Sequence, residues 1–378
     1  MWHLLNFRNL RTDGLPSSEG PNWSKRIPAL DGLRGLAILM VLMRHTVFDL
    51  RSNSKLLSPF LTAGTLTWSG VDLFFVLSGF LIGGILVDVK LSANYFKTFY
   101  IRRAYRIFPL YFLTIGLVLL KYLLFHLLRG GAWWAYFTLT QNCWYAGIPA
   151  LYATWSLCVE EQFYLTIPFL IHKVRRSELV AALIAVALAA PLLRTLLYYR
   201  FPHGEAFSYM LTPCRADALC LGVLSAVLVR DPRGWRWLLT KRASLKGALI
   251  VFFAGLIFVT WHGYTAGPLM FTFGFTWIAG FYAVALLTIV SSSGSIGNDI
   301  LCNKSLMRLG TLAYCTYLIH VPCLHAGRQL FAIVFRASPG ASLFPGKMIG
   351  VVVALSIASL SFKFFEKPLL RMGHRYQY

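Results

Sequence analysis

Hydrophobic positions fall into about ten runs along the chain, each close to the roughly 20 apolar residues that cross a bilayer as a helix. The fourth and sixth runs fit this pattern least well because each contains charged residues. The runs lie at residues 28–48, 70–89, 108–127, 154–172, 179–199, 215–230, 247–263, 270–291, 309–332 and 347–365. The pattern predicts an all-α polytopic membrane protein, built as a bundle of about ten transmembrane helices.

Residues 132–146 form a further apolar segment that is too short to cross a bilayer. The segment reads AWWAYFTLTQNCWYA and is rich in aromatic residues. Trp and Tyr concentrate where a membrane meets water. We therefore expect an interfacial or re-entrant segment at headgroup depth.

The composition agrees with a membrane protein, since 57% of the residues are hydrophobic and 13% are charged, against about 25% charged in a soluble domain. The formal net charge of +22 would suggest nucleic acid in a soluble chain. No basic repeat, zinc finger or RNA-binding signature occurs in the sequence, so we expect no nucleic-acid partner.

Most Lys and Arg residues lie in alternate loops, beginning with the N-terminal segment, as is typical of cytoplasmic loops. This distribution predicts that both termini are cytoplasmic and that the protein lies in the inner (cytoplasmic) membrane. The expected parts are a cytoplasmic segment at 1–27, a transmembrane domain at 28–371 and a cytoplasmic tail at 372–378. The excess positive charge would also attract anionic membrane lipids or an anionic substrate.

The first span carries two ionisable residues, Arg34 and His45. They are 11 residues apart in the sequence, which is almost three helical turns, so both project from one helix face about 16 Å apart. One interpretation is that Arg34 reaches the inner interface and His45 sits at the outer one. The alternative is a functional pair, because ionisable residues are costly to bury in a membrane.

Arg103 and Arg106 lie at the cytoplasmic end of the third span and share a helix face because they are three residues apart. They could anchor the helix at the inner interface. They could also form a two-pronged phosphate clamp, for which the guanidinium group is well suited.

Two adjacent carboxylates, Glu160 and Glu161, lie inside the fourth span. Either could pair with a buried arginine or orient a histidine. His320 lies in the ninth span, where a packing role and a functional role are both open.

Three further charged residues are candidates for the site. Asp72 is near the outer end of the second span and could simply face water there. Arg215 and Asp217, in the sixth span, are two residues apart and therefore face different ways on a helix. We expect each of them to bond to another span.

Taken together, these stretches resemble the acyltransferase 3 family of integral-membrane acyltransferases. The resemblance covers about residues 28 to 371. Two positions depart mildly from the family pattern, Cys158 where Ser is common and Ala313 in place of Ser. The matching motifs are LDGLRG at 30–35 with His45 following Arg34, GVDLFFVLSGFLI at 70–82, Arg103 and Arg106 before Ile107, Pro109 and Tyr111, WSLxxEEQFY at 155–164, RxD at 215–217, the Tyr-rich stretch at 313–322, and FExP at 365–368.

The resemblance implies O-acylation, usually O-acetylation, of a cell-envelope glycan such as a lipopolysaccharide, an exopolysaccharide or another lipid-linked sugar. The donor would be cytoplasmic acetyl-CoA or a related acyl-CoA. Some relatives carry an extracytoplasmic hydrolase-like domain, so this chain would act alone or with a separate extracytoplasmic partner. No metal is expected, because the nine histidines are dispersed and no HExxH spacing occurs.

On this hypothesis, Arg103 and Arg106 hold the CoA end, and His45 is the general base or a transient acyl carrier. Glu160 would orient the histidine, and Arg34 would hold a phosphate or carbonyl of the donor. The alternatives are a transporter or flippase for an anionic or glycan-linked substrate, or acylation of a non-glycan small molecule.

Overall fold

The chain is mostly helical in the part that the computed structural model describes, which is residues 23, 27–47, 64–125, 127, 132–144, 147–263, 267–292, 296–338, 340 and 343–378. This part is 88% helical and has no strand. Its ten long helices are α1 (Pro28–Thr46), α2 (Gly70–Asp88), α3 (Tyr95–Leu124), α4 (Trp155–Lys173), α5 (Arg176–Arg200), α6 (Thr212–Arg230), α7 (Arg242–Gly263), α8 (Phe275–Ser291), α9 (Lys304–Phe335) and α10 (Leu343–Ser361).

Shorter helical segments extend or connect these helices. They are Thr65–Ser69, Ala135–Thr138, Gln141–Cys143, Pro149–Thr154, Gly204–Met210, Pro232–Thr240, Met270–Gly274, Ile296–Leu301, Phe362–Glu366 and Lys367–His374. Within the described residues, seven helical segments are long and apolar enough to cross a membrane, and they include α2, α3, α5, α6, α8, α9 and α10. The other three predicted spans form α1, α4 and α7. The protein is thus a multi-pass membrane protein, and the count of ten spans stays a prediction.

Helix α3 begins at Tyr95, well before the predicted start of the third span at residue 108. Arg103 and Arg106 therefore lie within its early turns, and the helix continues through Pro109. A rigid helix consequently holds both guanidinium groups on one face.

Helices α1 and α9 touch through their backbones. A Cβ atom on Gly35 would lie 2.0 Å from the Leu306 carbonyl oxygen, and one on Gly310 would lie 1.9 Å from the Asp31 carbonyl oxygen. Since neither position has room for a methyl group, glycine permits the contact. His45 follows Gly35 by the same number of residues as His320 follows Gly310, and the two histidine rings are also in contact. The two helices therefore run parallel.

One end of the bundle gathers basic side chains and loop contacts. Arg230 on α6 donates to the Asp88 carboxylate at the end of α2 over 2.8 Å, and its guanidinium group lies 4.7 Å from the Trp23 ring centroid. Lys90 donates to the Val174 carbonyl oxygen at 2.7 Å. The rest of the predicted segment 1–27, apart from Trp23 and Ile27, lies outside the described residues, and the cytoplasmic location of both termini stays a prediction.

The aromatic segment predicted at 132–146 contains two short helices and no spanning helix within its described residues 132–144. Trp133, Trp134 and Trp144 are exposed. The buried Asn142 side chain anchors the segment by donating to the Met210 carbonyl oxygen at 3.2 Å. An exposed aromatic surface above a buried polar anchor agrees with the interfacial interpretation.

A buried cluster of charged side chains joins α2 to α6. Arg215 donates to the Asp72 carboxylate, and the side chains of both residues are 1% exposed. The Arg215 guanidinium carbon also lies 4.1 Å from the Phe275 ring centroid. Of the two interpretations left open for Asp72, the one in which it faces water is therefore excluded, because its carboxylate is paired inside the bundle.

The second half of the cluster joins α6 to α5 and α8. Asp217 accepts from Arg194 on α5 at 2.9 Å and from Thr276 on α8 at 2.6 Å. Arg194 also donates to the Phe271 carbonyl oxygen at 2.9 Å. Arg215 and Asp217 thus bond to different spans, as their spacing predicts.

The α1–α9 contact predicts that Gly310→Ala destabilises the protein. Its methyl group would force the two backbones apart, and overpacking of this kind costs about 1–3 kcal/mol. Gly116→Ala is the control, since a Cβ there meets nothing within 4 Å. Thermal unfolding in detergent should show a lower midpoint for Gly310→Ala alone, and equal midpoints for the two variants would contradict the prediction.

The ion-pair cluster predicts a strong effect of Arg194→Met. The change leaves the Asp217 carboxylate buried without its cation, which typically costs about 3–5 kcal/mol. Arg176→Met is the matched control, because Arg176 pairs with Asp231 while its own side chain is 51% exposed, and such pairs contribute about 0–1 kcal/mol. The thermal midpoint of Arg194→Met should fall well below that of Arg176→Met, and similar midpoints would count against a structural role for the cluster.

Candidate active site

A cavity lies between α1, α2, α3, α4 and α9. Its empty volume, including its opening, is about 850 Å³. Apolar side chains such as Phe74 and Leu157 form part of its wall. The polar side chains that line it are those of Arg34, Ser78, Arg103, Arg106, Ser156, Glu160, Tyr164, Thr311, Tyr314 and Tyr317.

Three arginines give the cavity a positive charge. Arg34 comes from the beginning of α1, where its guanidinium lies 3.5 Å from the Asp31 carboxylate. Arg103 and Arg106 come from α3, and the Arg103 guanidinium carbon lies 4.8 Å from the Tyr164 ring centroid. Among the described lining residues, Glu160 is the one carboxylate. Three cations against one anion favour an anionic ligand.

Hydrogen bonds hold Glu160 in the wall of this cavity. Its carboxylate accepts from Ser78 on α2 at 2.8 Å and from Tyr164, one turn along α4, at 3.2 Å. The hypothesis that Glu160 orients His45 stays a prediction. Glu160 lines the same cavity as the three arginines. The neighbouring Glu161 is buried and is not among the lining residues.

Arg102 is excluded from the cavity although it adjoins Arg103 in the sequence. Its Nε atom donates to the Tyr376 carbonyl oxygen at 2.9 Å, and its guanidinium carbon lies 4.9 Å from the Tyr378 ring centroid. Burial raises the pKa of Tyr378, while Arg102 and Arg103 lower it by favouring the phenolate. Arg102 therefore belongs to the contact with the C-terminal segment.

A histidine pair lies beyond the cavity along α9. Tyr317 lines the cavity, and its ring centroid is 5.5 Å from that of His320. The His320 ring centroid is in turn 5.1 Å from that of His45 on α1. The Tyr317 hydroxyl lies 2.6 Å from the Ser156 hydroxyl of α4. The structure thus brings together two histidines that lie on separate spans of the sequence.

The sequence-predicted candidates divide into three groups in the structure. Arg34, Glu160, Arg103 and Arg106 line the cavity, and His45 and His320 form the adjacent pair. Asp72, Arg215 and Asp217 belong to the buried ion-pair cluster. No group of three or more metal-ligating side chains occurs among the described residues.

Sequence reasoning missed several polar residues of these groups, among them Arg194, Ser78, Tyr164 and Tyr317. Arg194 was detectable, because a lone arginine within an apolar span should attract attention. Ser78, Tyr164 and Tyr317 gave no comparable indication, since serine and tyrosine are common in membrane helices and interfaces.

Comparison with the sequences of known proteins identifies the family of the chain. The family described as "Acyltransferase domain" matches residues 27–363. The peptidoglycan O-acetyltransferase OatA of Listeria monocytogenes serovar 1/2a is 28% identical over 381 residues, and the O-acetyltransferase OatA of Staphylococcus aureus (strain NCTC 8325 / PS 47) is 26% identical over 380. YrhL of Bacillus subtilis (strain 168), whose name assigns it provisionally to peptidoglycan O-acetylation, is 29% identical over 377 residues.

These alignments cover 92% of this chain but 56% to 58% of the relatives, so the chain spans just over half of their length. No solved structure matches the chain at a significant level. The match to the family covers most of the chain and includes every cavity-lining residue and both histidines. The chain therefore belongs to the acyltransferase 3 family of integral-membrane acyltransferases.

Proposed function

We propose that the protein is a membrane-embedded O-acyltransferase, which moves an acetyl group from cytoplasmic acetyl-CoA to a hydroxyl group of a cell-envelope glycan. The observation that carries the proposal is the cavity lined by three arginines, which adjoins the contact between His45 and the buried His320. A cationic pocket for an anionic donor and a nearby imidazole are the two parts that acyl transfer needs.

The arginines would hold the phosphate groups of the donor. Guanidinium groups bind phosphate through paired, charge-assisted hydrogen bonds, and Arg103 and Arg106 project from one face of α3. Arg34 would contact a further phosphate or the donor carbonyl. Glu160 would offset part of the positive charge of the arginines. Its hydrogen bonds with Ser78 and Tyr164 hold its carboxylate in the cavity wall.

The thioester would then reach along α1 and α9 towards the histidines. Arg34 and His45 are separated by about 16 Å along α1, which suits the extended pantetheine arm of CoA. Tyr317, Phe74 and Leu157 line the cavity and would exclude water around the arm.

His45 would act on the acceptor hydroxyl as a general base. An imidazole nitrogen of His45 would take the hydroxyl proton while the oxygen attacks the thioester carbonyl. The carbon–sulfur bond breaks, and the proton passes to the CoA thiolate, so that the products are the acetyl ester and CoA. In a two-step route, His45 would first accept the acetyl group itself.

A glycan acceptor is proposed from the relatives, since the names of two of them specify peptidoglycan O-acetylation. The acceptor would approach the histidine pair from the opposite end of the bundle to the arginines. Donor and acceptor would thus occupy opposite sides of the inner membrane, with both termini of a ten-span bundle on the donor side.

The activity is tested by deleting the gene and then restoring it either as wild type or as the His45→Ala variant. Mass spectrometry of envelope glycans should show an acetyl mass that disappears on deletion and returns with wild type alone. Loss of a catalytic base lowers activity by about 10²–10⁴-fold, so the variant should leave no detectable ester. Equal acetylation by His45→Ala would contradict its catalytic role.

The same deletion separates the proposal from transport, because a transporter forms no covalent product. Purified protein incubated with radiolabelled acetyl-CoA and peptidoglycan fragments should transfer the label. A complete absence of labelled ester, together with unchanged glycans in the deletion strain, would refute the proposed function.

Replacing both Arg103 and Arg106 with alanine should weaken donor binding. A hydrogen bond to a charged group contributes about 1.5–3 kcal/mol, so CoA should bind the double variant at least about tenfold more weakly. Arg102→Ala is the matched control on the same helix, because its described contacts are with Tyr376 and Tyr378. Calorimetric titration of CoA measures both, and an unchanged dissociation constant in the double variant would leave the two arginines as membrane anchors.

A further inference from the structure

The position of protons on His320 can be read from its hydrogen bonds. Its Nδ1 atom lies 2.6 Å from the carbonyl oxygen of Tyr317, on the same helix. A carbonyl oxygen can only accept, so Nδ1 must carry the hydrogen. In the neutral ring, Nε2 then has the lone pair and can only accept a hydrogen bond.

The Nε2 atom of His320 is buried and has no hydrogen-bond partner among the described residues. The whole residue is 0% exposed. An acceptor kept from water in this way is unfavourable unless a donor reaches it during function. Because Nδ1 faces the backbone of α9, Nε2, across the ring, points away from that backbone.

Tyr317 does not provide the missing donor. Its hydroxyl lies 3.0 Å from the Ala153 carbonyl oxygen and 2.6 Å from the Ser156 hydroxyl, so its single proton is already engaged. The other ring that contacts His320 is that of His45, with the ring planes at 50° and the centroids 5.1 Å apart. Each ring nitrogen lies about 1 Å from its centroid, so a rotation of the His45 ring within this contact brings one of its nitrogens to about 3 Å from Nε2, which is hydrogen-bond distance.

We propose that His320 is the positioning residue for His45, its Nε2 atom accepting the ring N–H of His45. This inference rests on the proposed acyl transfer. The hydrogen bond fixes the tautomer of His45, so that the other nitrogen presents its lone pair to the acceptor hydroxyl. It also orients the His45 ring, in the way that a hydrogen bond to the second ring nitrogen orients the histidine ligands of metal sites.

The pair also accommodates the proton that the reaction releases. When His45 takes the hydroxyl proton, both of its nitrogens carry hydrogen, and Nε2 of His320 accepts one of them in a charge-assisted bond. The proton then leaves with the CoA thiolate, and His45 returns to its neutral form while His320 stays neutral throughout. No other reactant is needed.

The backbone contact of α1 with α9 keeps the two imidazole rings in contact. Gly35 and Gly310 bring the two helices together on one side of the histidines, and the parallel course of the helices carries His45 to His320. The pairing is thus held by the fold rather than by a mobile loop.

The test compares His320→Leu with His320→Gln in the purified full-length protein. Leucine keeps an apolar volume but accepts no hydrogen bond, whereas the glutamine carbonyl oxygen can still accept from His45. Transfer from acetyl-CoA to an N-acetylglucosamine oligosaccharide gives kcat and the KM for acetyl-CoA. His325→Leu, on the same helix and exposed, is the control.

We expect kcat of His320→Leu to fall by about 10²-fold or more, with the KM for acetyl-CoA within about twofold of wild type because His320 does not line the donor cavity. The kcat of His320→Gln should be at least about tenfold higher than that of His320→Leu, and the kcat of His325→Leu should match that of wild type. CoA binding checks that each variant is folded, and His320→Phe replaces the leucine variant if that variant loses CoA binding.

A wild-type kcat in His320→Leu would overturn the inference. So would a glutamine variant no better than the leucine one, because recovery depends on the hydrogen-bond acceptor. Either result, obtained with active wild-type protein, leaves the proposed function standing. An inactive wild type refutes the proposed function itself, so the two failures are distinguishable.

Discussion

The close approach of α1 and α9 is the constraint on which the site depends. Gly35 and Gly310 let the two backbones touch, and neither position has space for a side chain. The contact presents Arg34 to the cavity at one level and His45 to His320 at another. Arg34 and His45, to which the proposed function assigns donor binding and catalysis, are thus set on one rigid pair of helices.

Charge is distributed unequally between two interior regions of the protein. The ion-pair cluster matches Arg194 and Arg215 with Asp217 and Asp72, so that each cation has a buried carboxylate. The cavity instead has three arginines and one carboxylate, that of Glu160, among its described lining residues, and Asp31 lies 3.5 Å from Arg34. This difference in charge is the physical reason for assigning the anionic donor of the proposed function to the cavity rather than to the cluster.

Much of this arrangement was predictable from the sequence, because helices and helix faces are local properties. Apolar runs gave the positions of the helices, and spacing placed Arg103 with Arg106 on one face. The meeting of His45 with His320 was not predictable, since it depends on how two distant helices align. For the same reason the hydrogen bonds of Glu160 to Ser78 and Tyr164 were not predictable, because they depend on how α2 packs against α4.

The buried ion pairs have a consequence for how the protein enters its membrane. Arg194 within α5 would cost about 2.5–3.5 kcal/mol at the centre of a bilayer if the helix were inserted alone. Its carboxylate partner, Asp217, arrives on α6, the next long helix to be synthesised. Helices α5 and α6 are therefore best inserted as one hairpin, and α2, which carries Asp72, completes its packing only when Arg215 has followed.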